Sequence, residues 1–71
     1  MIKYYSTHCG TCETFCWLMD ARNINYTLID DETEITNAME RFNTNVFPFA
    51  TINDVFYNTQ QLLNYILEYD K

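Results

Sequence analysis

Two cysteines separated by two residues, in Cys9-Gly10-Thr11-Cys12, are the side chains of this chain best suited to do chemistry. They follow the apolar, aromatic run from Met1 to Tyr5. Behind them Cys12, Phe15, Cys16 and Met19 recur three or four residues apart, which is a helical spacing. A Cys-X-X-Cys pair where a strand hands over to a helix suits thiol–disulfide exchange. If Cys9 is the helix N-cap, its sulfur faces unpaired backbone N–H groups and the positive end of the helix dipole. Both favour the thiolate, the nucleophile of exchange. Cys12, one turn in and less exposed, is placed to attack a mixed disulfide formed on Cys9. The chemistry expected of these residues is that of a small thiol–disulfide oxidoreductase.

Other side chains nearby bear on the same chemistry. His8 is the only histidine; an imidazolium beside Cys9 would help hold a thiolate, and the other reading is an exposed turn residue with no effect on the sulfur. Cys16, one helical turn beyond Cys12, reads as a packing residue rather than a third redox sulfur. A metal site is the competing use of the cysteines. Its only candidate ligands, His8, Cys9, Cys12 and Cys16, are crowded into nine residues, whereas structural zinc takes four ligands, usually from two separated pairs. Trp17 falls on the opposite side of its helix from Phe15 and Met19, where it is either exposed as a protein-docking patch or buried at the rim against tyrosines.

The elements that must position these groups fit one domain. At 71 residues there is no room for a second core, and chains this small bury only about 60% of their unfolded surface. Aromatic residues make up 17% of the chain, so few but large side chains must fill the interior. Four Lys and Arg stand against ten Asp and Glu, a formal net charge of −6. No basic stripe is available to neutralise phosphates, so nucleic acid is not expected as a partner. No apolar run is long enough to cross a bilayer. No signal-like leader is evident, so a reducing cytosol and a monomer are the working expectations. Three cysteines, an odd number, suit one reactive pair and a spare thiol better than a secreted disulfide framework.

Read in order, Ile2 to Ser6 is a Tyr- and Ile-rich strand, and Thr7 and His8 turn into the cysteine pair. The helix that follows reaches about Arg22, with Phe15, Leu18 and Met19 buried and Asn23 as a left-handed stop. Asn25 to Asp30 is the second strand, parallel to the first. Asp31 or Thr33 caps a second helix through roughly Arg41, with Ile35, Ala38, Met39 and Phe42 on one face; Asp30, Asp31, Glu32 and Glu34 read as a solvated loop and helix start. Val46 to Ile52 is a strand with Pro48 near its beginning, where a missing N–H is tolerated. Asn53-Asp54 is a two-residue hairpin turn into Val55 to Tyr57. Asn58 or Thr59 caps a last helix presenting Leu62, Leu63, Ile66, Leu67 and Tyr69. The order β-α-β-α-β-β-α predicts an α/β domain with a four-stranded mixed sheet and helices on both faces.

With those residues in place the chain resembles a minimal glutaredoxin of the thioredoxin superfamily, over nearly its whole length. The resemblance rests on Cys9-Gly10-Thr11-Cys12 after the first strand, on the passage from Asn23-Ile24-Asn25-Tyr26 to Ile29-Asp30, and on the lone Pro48 before a hairpin. It implies a thioredoxin-like (glutaredoxin) fold over residues 1–71 and a cis Phe47–Pro48 peptide facing Cys9. It further implies that the Phe47 backbone, beside Pro48, pairs with a bound thiol substrate; His8 and Thr11 next to the cysteines and Thr59 at the last helix are further substrate-binding candidates read from this chain's own residues. Cys9 and Cys12 would then cycle through a redox-active disulfide, at a potential between roughly −270 and −200 mV. No bound cofactor is implied. The reductant would be glutathione or a thioredoxin reductase, and the substrates protein disulfides, those of a ribonucleotide reductase among them, or glutathione mixed disulfides.

The chain also departs from that pattern. The family's lysine before the first cysteine and aromatic residue within the motif are replaced by Thr7-His8 and Gly10-Thr11. Tyr57-Asn58-Thr59-Gln60 stands where the family has a Gly-Gly pair and acidic residues for glutathione. Apart from the backbone N–H groups of Thr59 and Gln60, no basic group obviously meets glutathione's carboxylates. The rival reading is a non-catalytic module of the same fold, holding a protein partner or a metal in the groove at Cys9 and Pro48.

Overall fold

The computed structural model describes residues 1–69 and contains seven elements. These are β1 (Ile2–Tyr5), α1 (Gly10–Ala21), β2 (Thr27–Ile29), α2 (Glu32–Phe42), β3 (Phe49–Ile52), β4 (Val55–Tyr57) and α3 (Thr59–Leu67). The order is the one expected. One four-stranded mixed sheet runs β2-β1-β3-β4. β1 lies parallel to β2, with Tyr4 opposite Leu28, and antiparallel to β3, with Tyr4 opposite Ala50; β3 and β4 are antiparallel.

Local chemistry sets the boundaries. Asn23 and Asn43, at φ 57° and 51°, adopt the left-handed conformation after α1 and α2, where asparagine is among the few residues tolerated without strain. Asp31 caps α2 by accepting the Glu34 N–H, and Asn58 closes a capping box with Gln61 at α3. Asn53 and Asp54, both at positive φ, make the two-residue turn whose twist matches its strands.

Three expected elements are shorter in the structure. β1 stops at Tyr5, although the Ser6 N–H still bonds the Ile29 carbonyl at 3.1 Å. β2 begins at Thr27 rather than Asn25, because the chain first closes α1 by giving the Ile24 N–H to the Met19 carbonyl. β3 begins at Phe49: Pro48 has no N–H to give a ladder, and Val46 is exposed. On α3, Leu62 and Ile66 are buried and Leu63 packs against them, but Leu67 and Tyr69 lie exposed. The apolar stripe expected there is therefore narrower, since the short helix meets the sheet over one face only.

Alternation along the strands divides the interior into two layers. Ile2, Tyr4, Ala50 and Ile52 face α1 and α3 and join Phe15, Met19, Ile24, Leu62 and Ile66. Tyr5 and Phe49 point the other way, to Ile35 and Ala38 of α2. Leu18 is partly buried against the first layer, while Trp17 is 68% exposed. Among the described residues no helix is long and apolar enough to cross a membrane.

Candidate active site

The cysteine pair sits where β1 delivers the chain into α1. Cys9 is the N-cap of α1, and its sulfur accepts the Cys12 N–H at 3.3 Å. The two sulfurs lie 2.8 Å apart, with the Cys9 thiol donating to Cys12 Sγ. Their exposure separates their roles. Cys12 is fully buried, whereas Cys9 is partly open to solvent. An external disulfide can therefore reach only Cys9, and Cys12 meets only what is already bonded to its neighbour.

Negative charge on the pair is supported from the Cys12 side. Burial opposes ionisation of Cys12, but hydrogen bonds from the Cys9 thiol, the Thr7 backbone, the Ser6 hydroxyl and the Cys9 backbone outweigh it. They hold its pKa below the ordinary 9.0. Ser6 is buried, and its oxygen also accepts the His8 N–H at 3.0 Å. Ser6 was not singled out from the sequence. A small hydroxyl residue closing a strand carries no signal there, and its role exists only because the turn folds it back onto Cys12.

Behind the pair, Tyr4 anchors the helix. Its buried hydroxyl donates to the Cys12 carbonyl at 2.8 Å. Burial, followed by the charge of the neighbouring cysteines, drives the Tyr4 phenol far above its ordinary value, so it stays a donor. Cys16 lies by the hydroxyls of Tyr4 and Tyr26, and burial raises its thiol pKa. That is an environment for packing and not for nucleophilic attack, as expected.

His8 does not face the sulfurs. It adopts φ 60°, and its ring nitrogens reach Glu13 Oε1 at 3.3 Å and Asp30 Oδ2 at 3.0 Å. Hydrogen bonds to Asp30 and then Glu13 raise its pKa, and the exposed ring ties the turn before α1 to the loop after β2. The acidic run at Asp30 is thus not wholly a solvated loop.

The remaining candidates lie in the segment before β3 and in the first turns of α1 and α3. Phe47–Pro48 is a cis peptide. Phe47 joins Ser6, Thr7 and His8 in lining one groove, which brings the segment before β3 alongside the turn into α1. Pro48 itself is fully buried, and its carbonyl accepts the hydroxyl of half-buried Thr59 at 2.7 Å, which ties the start of α3 to the segment that carries Phe47. Thr11 is exposed in the first turn of α1. A Cβ added at Gly10 would meet no atom within 4 Å, so the motif is open on its outer side. Among the described residues no cluster of three or more His, Cys, Asp or Glu is arranged to hold a metal ion.

In comparisons with known proteins, no family model matches this chain, and neither a curated protein nor a solved structure does so. The functional reading is carried by the geometry.

Proposed function

We propose that this chain is a thiol–disulfide oxidoreductase of glutaredoxin type, with a thioredoxin-like fold. The observation that carries the reading is the asymmetry of the sulfur pair: two sulfurs 2.8 Å apart at a helix N-terminus, one reachable from solvent and one buried.

Cys9, as the thiolate, attacks one sulfur of a substrate disulfide. A Cys9–substrate disulfide forms, the substrate S–S bond breaks, and the first substrate thiolate leaves and takes up a proton from solvent. Cys12, as the thiolate, then attacks Cys9 Sγ. The Cys9–Cys12 bond forms and the second substrate thiol is released. Two electrons have passed from the dithiol to the substrate. A thiol reductant restores the dithiol, either a monothiol such as glutathione or the dithiol of a thioredoxin reductase. The substrates are protein disulfides or glutathione mixed disulfides, a reducing cytosol is the setting, and a monomer suffices.

The test is single-turnover reduction of a small neutral disulfide, 2-hydroxyethyl disulfide, by the reduced protein. Wild type should release two substrate thiols per chain, one per sulfur used. Cys9→Ser should abolish release, and Cys12→Ser should stop at a mixed disulfide visible by mass spectrometry. Equal activity in wild type and Cys9→Ser would overturn the assignment.

A further inference from the structure

Along α2 two depressions run into one another. The first, about 450 Å³, begins at the turn before Cys9 and is floored by Ile35, Met39 and Phe47 with Asp30 and Glu32 at its rim. The second, about 640 Å³, continues past Glu40 to Asn43 and Asn45 and shares Thr36 and Met39 with the first. Glu32, Thr36, Glu40 and Asn43 recur at helical spacing, so they form a single stripe along the helix. The combined trough therefore follows α2 from the turn that precedes Cys9 toward the helix's C-terminal end. At ~1.5 Å per helical residue it is ~16 Å long, room for about five residues of extended chain at ~3.3 Å each.

Its charge is one-sided. Asp30, Glu32 and Glu40 line the two depressions, no lysine or arginine does, and the one imidazole, His8, is bonded to Asp30 and Glu13. An apolar floor that opens at the turn leading into Cys9, with acidic walls, matches an extended cationic segment and opposes an anionic one.

We infer that this trough binds a disulfide-bearing polypeptide segment carrying an apolar residue and a lysine or arginine within about five residues of the reacting cysteine. The inference rests on the redox reading and names its substrate class. Glutathione disulfide, with more carboxylates than ammonium groups, meets the same walls unfavourably. Main-chain length selects for a peptide, the acidic rim for its sign, and the sulfur exchange proceeds as written above with the protein's own two electrons.

The experiment uses three substrates under single-turnover conditions at low salt: a peptide disulfide with lysine three residues from cysteine, its glutamate counterpart, and neutral 2-hydroxyethyl disulfide. The lysine peptide should react on the order of tenfold faster than the glutamate peptide, with the gap closing as salt is raised. In Glu32→Gln/Glu40→Gln the two peptides should converge while the neutral disulfide reacts at the wild-type rate. Equal rates for both peptides in the wild type would overturn the trough while leaving the redox reading intact; failure on the neutral disulfide would overturn the redox reading instead. A readout free of exchange chemistry completes the test. With cysteine replaced by serine in each peptide, the lysine form alone should shift the amide resonances of Thr36, Met39 and Asn43. Shifts confined to another surface, or none, would also overturn the trough.

Discussion

The two faces of the sheet are built differently. The face under α1 and α3 is closed, with Tyr4, Met19, Leu62, Ala50 and Ile66 shielded from solvent and Tyr4 bonded to the backbone of α1. The face under α2 is thinner and aromatic. Tyr5 stacks on Phe49 at 4.9 Å and Phe42 on Phe56 at 5.0 Å, while Phe42, Phe47, Phe56 and Met39 stay only half-buried around the few residues that are fully covered. The closed face holds the sulfurs in register, because any slack in α1 would move Cys9 against Cys12. The open face leaves apolar surface next to them. A small domain with too little surface to bury everything has spent its burial where geometry matters most.

Substitutions on the two faces should therefore separate. Met19→Ala removes a fully buried side chain and should cost ~2–5 kcal/mol in denaturant unfolding. Met39→Ala, half-buried in the trough, should cost about 1 kcal/mol or less, in proportion to the area it covers. Comparable losses at both sites would dissolve the contrast between the faces.

A subtler cut on the closed face is Tyr4→Phe, which keeps the ring and removes the hydroxyl bonded to the Cys12 carbonyl. Its expected cost is ~0.5–1.5 kcal/mol. It should also alter the pH profile of Cys9 alkylation, since the first turn of α1 loses its tether; a profile identical to wild type would make Tyr4 a packing residue only.

The same face should govern pH dependence. Cys12 has a folded pKa below its unfolded value, so its contribution to the reduced protein is complete above the ordinary thiol value of 9.0 and is lost as pH falls through the folded one. Tyr4 and Tyr26 are shifted the opposite way, chiefly by burial, so their neutral forms favour folding up to the unfolded phenol value near 10 and oppose phenol ionisation above it. Stability of the reduced chain relative to Cys12→Ser should rise from neutral toward pH ~9, and both should fall together above pH ~10. Thermal melts of the two across that range read out the difference, and parallel curves below pH ~9 would remove the thiolate from the folded state.

The smallest effect belongs to the open outer side of the motif. Gly10→Ala occupies empty space at a helical position and restricts the unfolded chain, so it should stabilise by ~0.4–1 kcal/mol with the exchange rate unchanged. A destabilised variant would mean that Gly10 is needed for backbone freedom.

Much of this was legible in the residues alone, for reasons that can be stated. The order of the elements follows from local chemistry: the period of apolar residues, the asparagine stops at Asn23 and Asn43, the caps at Asp31 and Asn58, and the Asn53-Asp54 turn. Cys9 as N-cap and Cys12 as its buried partner follow from a spacing of three on a helix, which fixes their distance wherever the helix goes. The edges of β2 and β3 were less legible, because strand pairing ends where a neighbour ends and not where propensity does.

Placement across the chain was decided by the tertiary structure. The sequence left His8 either beside the sulfur or exposed in its turn; the fold pairs it with Asp30, twenty-two residues away, and with Glu13. Ser6 became a support of Cys12, and Thr59 and Pro48 a support of Phe47. The trough exists because α2 covers its face only partly. Short-range order is written in neighbouring residues, whereas charge pairing and open surface depend on which distant side chains the sheet brings together, and no local pattern encodes that.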